Sequence, residues 1–351
     1  MRQLQCFILQ YDNMRSYTTI KDIARELGVS PSTVSRALAD SGEVSEKMKG
    51  LVKTKAEEMN YHPNVLARNL SSRKSGVIGV IVPEFETGFF PRVILGIQDT
   101  LAKEGYRILI TQSGESAQKE RENLELLLGN MVEGIIVSVA KEGGNGDAFR
   151  EVVRSQIPVV FFNRVYNLPK ASKVIVDDKS LAYASVCHLF EQGCRNIVHF
   201  AGPQNLEVAK KRAKGYMEAM CEFGNGEDAE IVEAGITFDD GDRVVASLMD
   251  RRKILPDAIF CFNDNLAIGA MRALKKAGFR IPQDVAVVGF SETELATIVE
   301  PNLTTVVQPR YQMGVEAAKI MVEQIRTRGR SIPTNLTLEG HLNIRESSKI
   351  K

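Results

Sequence analysis

The sequence predicts a small all-helical head followed by a larger, doubly wound α/β body. Three observations predict it. Thr18 to Leu38, TTIKDIARELGVSPSTVSRAL, writes two short helices and a tight turn in one line. From Gly76 onward, runs that are apolar on both faces alternate with amphipathic stretches, as parallel strands covered by helices require. The chain's 351 residues, 44% of them apolar, exceed one ordinary domain and suffice for two such α/β lobes.

In the head, Thr19 is a good N-cap, and Asp22 three residues later answers it near the helix's positive end. Ile20, Ile23, Ala24 and Leu27 repeat at helical spacing, and Gly28 supplies the left-handed residue that ends the helix. Ser30 caps a second helix with Pro31 at its first position, where the missing N–H costs nothing. Val34, Ala37 and Leu38 face back toward the first helix, leaving Pro31, Ser32, Ser35 and Arg36 outward. Short hydroxyls and one Arg at the front of an exposed helix suit a DNA major groove, since Arg forks onto guanine and Ser reaches phosphate. A third helix is expected from its N-cap Ser45 to about Asn60, with Val44, Met48, Leu51, Val52 and Met59 closing the core.

The segment YHPNVLARNLSSRKSGVIGVIVP, Tyr61 to Pro83, then follows. Asn64 after Pro63 starts a helix of about two turns, too short to stand alone in water. Ala67 is small enough to let two copies approach, and Leu70 is a side chain of the kind that unstacks a base step. With these residues the chain, from Thr18 onward, resembles the lactose-repressor (LacI) family of bacterial transcription regulators. The resemblance implies that Asn64 to Leu70 is a hinge helix in the DNA minor groove, paired with its twin in a homodimer, with Leu70 as the wedge at the operator centre.

In the body, the strand candidates are Val77–Val82, Arg107–Thr111, Gly134–Val137, Val159–Phe162, Val174–Val176, Asn196–Phe200, Ala258–Phe262 and Val285–Gly289. Ligands of open α/β sheets bind beyond the strands' carboxyl ends. Residues just past those ends include Glu84, Gln112, Ser113, Ser138, Asn163, Arg164, Asn263, Asp264 and Ser291. The resemblance implies a body like a periplasmic sugar-binding protein, two lobes joined by three crossovers near Val176, Thr305 and Pro333 with an effector cleft between them. It also implies effector roles for Asn163-Arg164, for Arg212 in AKKRAKGY, for Asn263-Asp264, for Ser291 where Asp is common, for the crossover Gln308, and for Phe89-Phe90 at the cleft mouth. Asp264 reads equally well as the N-cap of a helix Leu266–Ala277, and one of Phe89 and Phe90 reads as core. Gly143 to Asp147, GGNGD, lacks the spacing and Lys of a phosphate loop and reads as a surface turn.

The expected organisation is a tail, 1–13, whose start is in doubt; a helix-turn-helix domain, 14–62; a hinge and linker, 63–75; and a ligand-binding and dimerisation domain, 76–351. Within the last, the N-lobe spans about 76–175 and 306–333, the C-lobe about 176–305 and 334–347. Net charge is +1, but Met14 to Lys74 alone carries eleven Lys/Arg against seven Asp/Glu. Such a basic head on an acidic body suits a duplex-binding protein. Five cysteines without a C-x-x-C pair fit reduced thiols in the cytoplasm, and four scattered histidines imply no metal. No cofactor is expected, nor an enzyme: no G-x-S-x-G elbow or dinucleotide fingerprint is present. The function expected is a ligand-responsive DNA-binding regulator, a repressor of carbohydrate-utilisation genes acting allosterically as a homodimer on a pseudo-palindromic operator. The ending HLNIRESSKIK has no heptad leucines to zip dimers into tetramers. The alternative, a solute-binding protein without a DNA role, leaves the head unexplained. Asn163 and Ser291, where the family often has Asp, leave Arg164 and Arg212 in apparent excess, which favours an effector that is a sugar or an acidic sugar derivative.

If Leu70 is the wedge, Leu70→Ala reduces operator bending in a gel-phasing assay while light scattering still shows a dimer; unchanged bending and affinity would refute the assignment.

Overall fold

The computed structural model describes residues 18–61, 75–141, 144–224, 226–251, 254–328 and 330–350. It divides at Ser75/Gly76 into two compact units. The hinge residues Asn64, Ala67 and Leu70 lie outside the described residues, as does Gly143.

In the first unit, helices α1 (Ile20–Leu27), α2 (Pro31–Leu38) and α3 (Glu46–Glu58) enclose a core of Ile23, Ala24, Val34, Ala37, Val52 and Ala56. The Thr19 amide and hydroxyl both donate to the Asp22 carboxylate, at 3.0 and 2.6 Å, which holds that carboxyl below its ordinary range. Gly28 ends α1 with φ 62°, where any side chain would be strained. Ser30 and Ser45 accept from the amides of Thr33 and Met48 and so cap α2 and α3. Leu51, expected in the core, is 49% exposed. Val52 and Ala56, one turn apart, form the inward row of α3 instead, and the buried Lys49 stem fills beside them with its ammonium on Asp40 and Glu46.

The second unit holds two six-stranded sheets. In chain order its elements begin β1 (Val77–Val82), α4 (Phe89–Lys103), β2 (Arg107–Gln112), α5 (Ala117–Gly129), β3 (Gly134–Val137), α6 (Gly146–Arg154), β4 (Val159–Phe162) and β5 (Ser172–Val176). The second lobe follows with α7 (Asp178–Glu191), β6 (Ile197–Ala201), α8 (Glu207–Phe223), β7 (Glu230–Glu233), α9 (Phe238–Arg251), β8 (Ala258–Cys261), α10 (Asp264–Lys276), β9 (Ala286–Ser291) and β10 (Thr304–Val307). The chain then returns through α11 (Arg310–Arg326) and β11 (Asn335–Leu338) and ends with β12 (His341–Asn343). The first sheet runs β11-β5-β4-β3-β1-β2, all parallel; the second runs β12-β10-β9-β8-β6-β7, parallel except for β12. This is the doubly wound, two-lobed body that the alternating pattern predicts.

Two details differ from expectation. The chain crosses between sheets a third time at Leu338–His341, not near Pro333, because β11 pairs with β5 of the first sheet. Its four residues alternate in exposure at a sheet edge, so no doubly apolar run announces it. Gly146 and Asp147, read as part of a surface turn, open helix α6 instead, held by Asn145, whose side chain donates to the Ala117 carbonyl and the buried Glu120 carboxylate.

Lobe packing is close enough to demand glycine where α4 crosses α11. A Cβ on Gly314 would land on the Val93 carbonyl, and one on Gly96 on the Tyr311 carbonyl. In the second lobe His199 is wholly buried, stacked 4.8 Å from the Phe260 ring with Nδ1 2.9 Å from the Phe260 carbonyl. Burial pushes its pKa down to about 4, so the folded protein holds it neutral where the unfolded chain is protonated. Stability therefore falls as pH drops from about 6.5 toward about 4, with His199 contributing a slope of about 1.4 kcal/mol per pH unit. Urea titrations across that range should show His199→Phe losing about one proton's worth of this slope; an identical slope would mean the ring is protonated in the fold.

Candidate functional site

The head presents one polar helix front. On α2, Pro31, Ser32, Ser35 and Arg36 are exposed while Val34 and Ala37 are buried. Thr19, Ser30 and Ser45, all capping residues, are exposed as well. Arg36 is the long donor of this helix; its Nη1 rests 3.1 Å from Glu43, with both side chains more than half exposed. Such a pair is worth about 0–1 kcal/mol, so a guanine edge or phosphate competes easily for the guanidinium.

In the body, the nine residues expected at the effector cleft all line one cavity between the two lobes: Phe89, Phe90, Asn163, Arg164, Arg212, Asn263, Asp264, Ser291 and Gln308. Their roles within it differ. Phe89 and Phe90 are both core residues as well as wall, meeting edge to face at 5.1 Å, and Arg164 lies over the Phe90 ring at 5.7 Å. The N-cap of α10 is Asn263, not Asp264: its side-chain oxygen accepts from the Leu266 amide and its NH2 donates to the Ile236 carbonyl. Asp264 is fully buried one residue further on, accepting the Thr293 amide at 2.6 Å and the Thr305 hydroxyl. Burial raises its pKa, and those two donors oppose the rise.

The two arginines are already paired, which overturns the expected positive excess. Arg212 donates through Nε and Nη2 to Asp178 Oδ1, at 2.9 and 2.7 Å, and through Nη1 to the Phe262 carbonyl. The Phe290 and Phe262 rings flank it at 3.6 and 4.6 Å. Arg164 Nη1 donates to both oxygens of Glu115, at 2.8 and 2.9 Å. Meanwhile Glu84, which accepts from the amides of Glu86 and Thr87, and Asp264 add carboxylates to the wall. Wall residues not legible in the sequence include Thr293 and Phe262; the arginines' partners, Glu115 and Asp178, lie two or three residues beyond the strand ends. An acidic pair, Asp177-Asp178, directly after β5 was the available signal.

What remains unengaged is neutral. Among the described residues, both ends of the Gln308 amide are buried in this wall without a hydrogen-bond partner. Buried polar atoms left open at a cleft are the groups a ligand satisfies.

Two family models match the chain. Periplasmic binding proteins and the sugar-binding domain of the LacI family match residues 75–345, and the lacI family of bacterial regulatory proteins matches 19–64. The chain belongs to the LacI family. Among curated relatives, the HTH-type transcriptional repressor CytR of Escherichia coli (strain K12) is 32% identical over 309 residues, covering 88% of this chain and 90% of its own. The ribose operon repressor of Halalkalibacterium halodurans is 33% identical over 338 residues, covering 95% and 97%. Among solved structures, a complex of the transcriptional regulator CelR with cellobiose superposes with a TM-score of 0.69 at 29% identity, covering 94% of this chain and 99% of that one. The relatives are transcription regulators, and the helix-turn-helix head and cleft described above are the two parts such a LacI-family regulator needs. Among the described residues no helix is long and apolar enough to cross a membrane, and no group of side chains has the make-up to hold a metal ion.

Asp178→Asn keeps the shape of the Arg212 partner and removes its charge. Leaving a buried guanidinium uncompensated should cost about 3–5 kcal/mol in chemical denaturation. A loss below about 1 kcal/mol would mean that water or a neighbour takes over the charge.

Proposed function

We propose that this LacI-family protein is a repressor of genes for carbohydrate or nucleoside use, acting as a homodimer on a pseudo-palindromic operator and controlled by a neutral, polyhydroxylated effector. The observation that carries the effector class is the pairing of Arg164 with Glu115 and of Arg212 with Asp178. With both guanidiniums neutralised and two further carboxylates in the wall, an acidic ligand meets net repulsion. A sugar or a nucleoside instead offers hydroxyls that donate and accept at the two ends of the Gln308 amide. The names of the relatives support both halves of this reading: CytR and the ribose operon repressor are repressors, and CelR is bound to cellobiose.

The test starts from operator selected out of random duplex. Ribose, cellobiose and cytidine, against glucuronate and ribose 5-phosphate, are then titrated into the complex by fluorescence anisotropy. A neutral compound should shift the operator Kd; a shift from only the acidic compounds would refute the neutral class. In the same assay Arg36→Ala should cost about 1–3 kcal/mol and relax preference at one base pair per half-site. Equal loss on all sequences would make Arg36 a phosphate contact.

A further inference from the structure

The end of β9 carries an unusual backbone. Ser291 has φ 130° and Glu292 φ 55°, two consecutive non-glycine residues in the left-handed region. Such residues persist only where their surroundings over-determine them. The next residue, Thr293, donates its amide to the buried Asp264 in the cleft wall.

What fixes the loop is the segment after β12. Arg345 Nη1 donates to Glu292 Oε2 at 3.0 Å and Nη2 donates to Oε1, a two-pronged grip on the left-handed residue, and Asn343 adds a bond at 3.4 Å. Arg345 is anchored in turn: its Nη1 donates to the Leu303 carbonyl, its amide to the Thr304 hydroxyl, and that hydroxyl to the Arg345 carbonyl. Behind it Ser347 and Ser348 are wholly buried, Ser347 bridging the Thr304 amide and the Val287 carbonyl, Ser348 meeting His188 Nε2 at 2.8 Å. From Glu292 the chain of bonds continues inward, its amide donating to Thr305 Oγ1 and that hydroxyl donating to Asp264.

We propose that Arg345 and Glu292 are positioning residues for the effector site: their ion pair holds Ser291–Thr293 so that the Thr293 amide stays on Asp264 and Ser291 stays in the cleft wall. Neither residue lines the cavity; both act through the loop. The inference rests on the cleft being the effector site, but its first test needs no effector.

Hydrogen–deuterium exchange of the full-length chain is compared for wild type, Glu292→Gln, Arg345→Lys and Arg345→Met. Glu292→Gln keeps the side chain's shape and is the variant least able to disturb folding. In Glu292→Gln and Arg345→Met, peptides spanning 290–294 should exchange at least tenfold faster, with Arg345→Lys between them and wild type, while peptides from β6 and β8 keep their protection. Unchanged exchange at 290–294 overturns the proposal, and so does loss of protection throughout the second sheet, which would make the pair a fold element only. Ribose, cellobiose and cytidine are the probes for the second measurement. Whichever stabilises wild type in a thermal scan should bind Glu292→Gln at least tenfold more weakly at unchanged melting temperature without ligand; equal binding overturns the proposal. If none binds wild type, the effector class proposed above fails, and the exchange result alone decides this one.

Discussion

Arg212 is only 3% exposed, and the cleft is arranged around that fact. A buried guanidinium is tolerable only with a partner and with its donors engaged. Asp178 provides the charge, the Phe262 carbonyl takes a third N–H, and the two aromatic faces cover what remains. Asp178 sits at the first residue of α7, immediately after β5 and the first crossing between lobes. The pair therefore ties the crossing to the wall formed by α8, β8 and β9. Burial pushes the Asp178 carboxyl up and the Arg212 guanidinium down, and each opposes the other's shift, so the pair holds together only as a pair.

Charge elsewhere follows the same economy. Arg164 is held by Glu115, and the second Glu115 oxygen accepts from the Lys141 amide, so one carboxylate both neutralises the cleft and pins the loop after β3. Glu120 lies beside it, wholly buried, its pKa raised by burial while the Ala140 amide and Asn145 oppose the rise. Glu115, just before α5, and Glu120 within it thus hold Ala140, Lys141 and Asn145.

The parts legible in the sequence are those where one physical requirement leaves one pattern. Thr19, Gly28, Ser30 and Pro31 stand where caps and a left-handed residue must stand, and α1 and α2 fall between them. Val77–Val82 and Gly134–Val137 are apolar throughout because helices cover both faces, and the strands begin and end there. β7 reads Glu-Ile-Val-Glu at a sheet edge, half exposed, and β12 is three residues long; neither carries a burial signal to read. In the cleft, residues directly past strand ends were visible and their charge partners were not. Glu115 and Arg164 meet across 49 positions and Asp178 and Arg212 across 34, and pairings of that kind are set by topology, not by spacing along the chain.

The cleft's size supplies the last step. The empty space between its walls, its mouth included, is about 490 Å3, within the range of small-ligand sites. Among the described residues, the hydrogen bonds across the rims include Asn205 to the Lys141 carbonyl on one side and Arg310 to Glu294 on the other. Asn205 and Glu294 are exposed, and each bond is worth about 1 kcal/mol or less. The stronger ties, Arg212–Asp178 and the glycine crossing of α4 with α11, lie within one lobe or the other and are not disturbed by parting them. Two arrangements of the lobes, closed as here and parted, would differ in the rim bonds. A ligand that bound both arrangements equally would shift neither. One that needs the parted arrangement changes operator affinity only as far as operator and ligand prefer different arrangements, and by reciprocity the operator changes ligand affinity by the same factor.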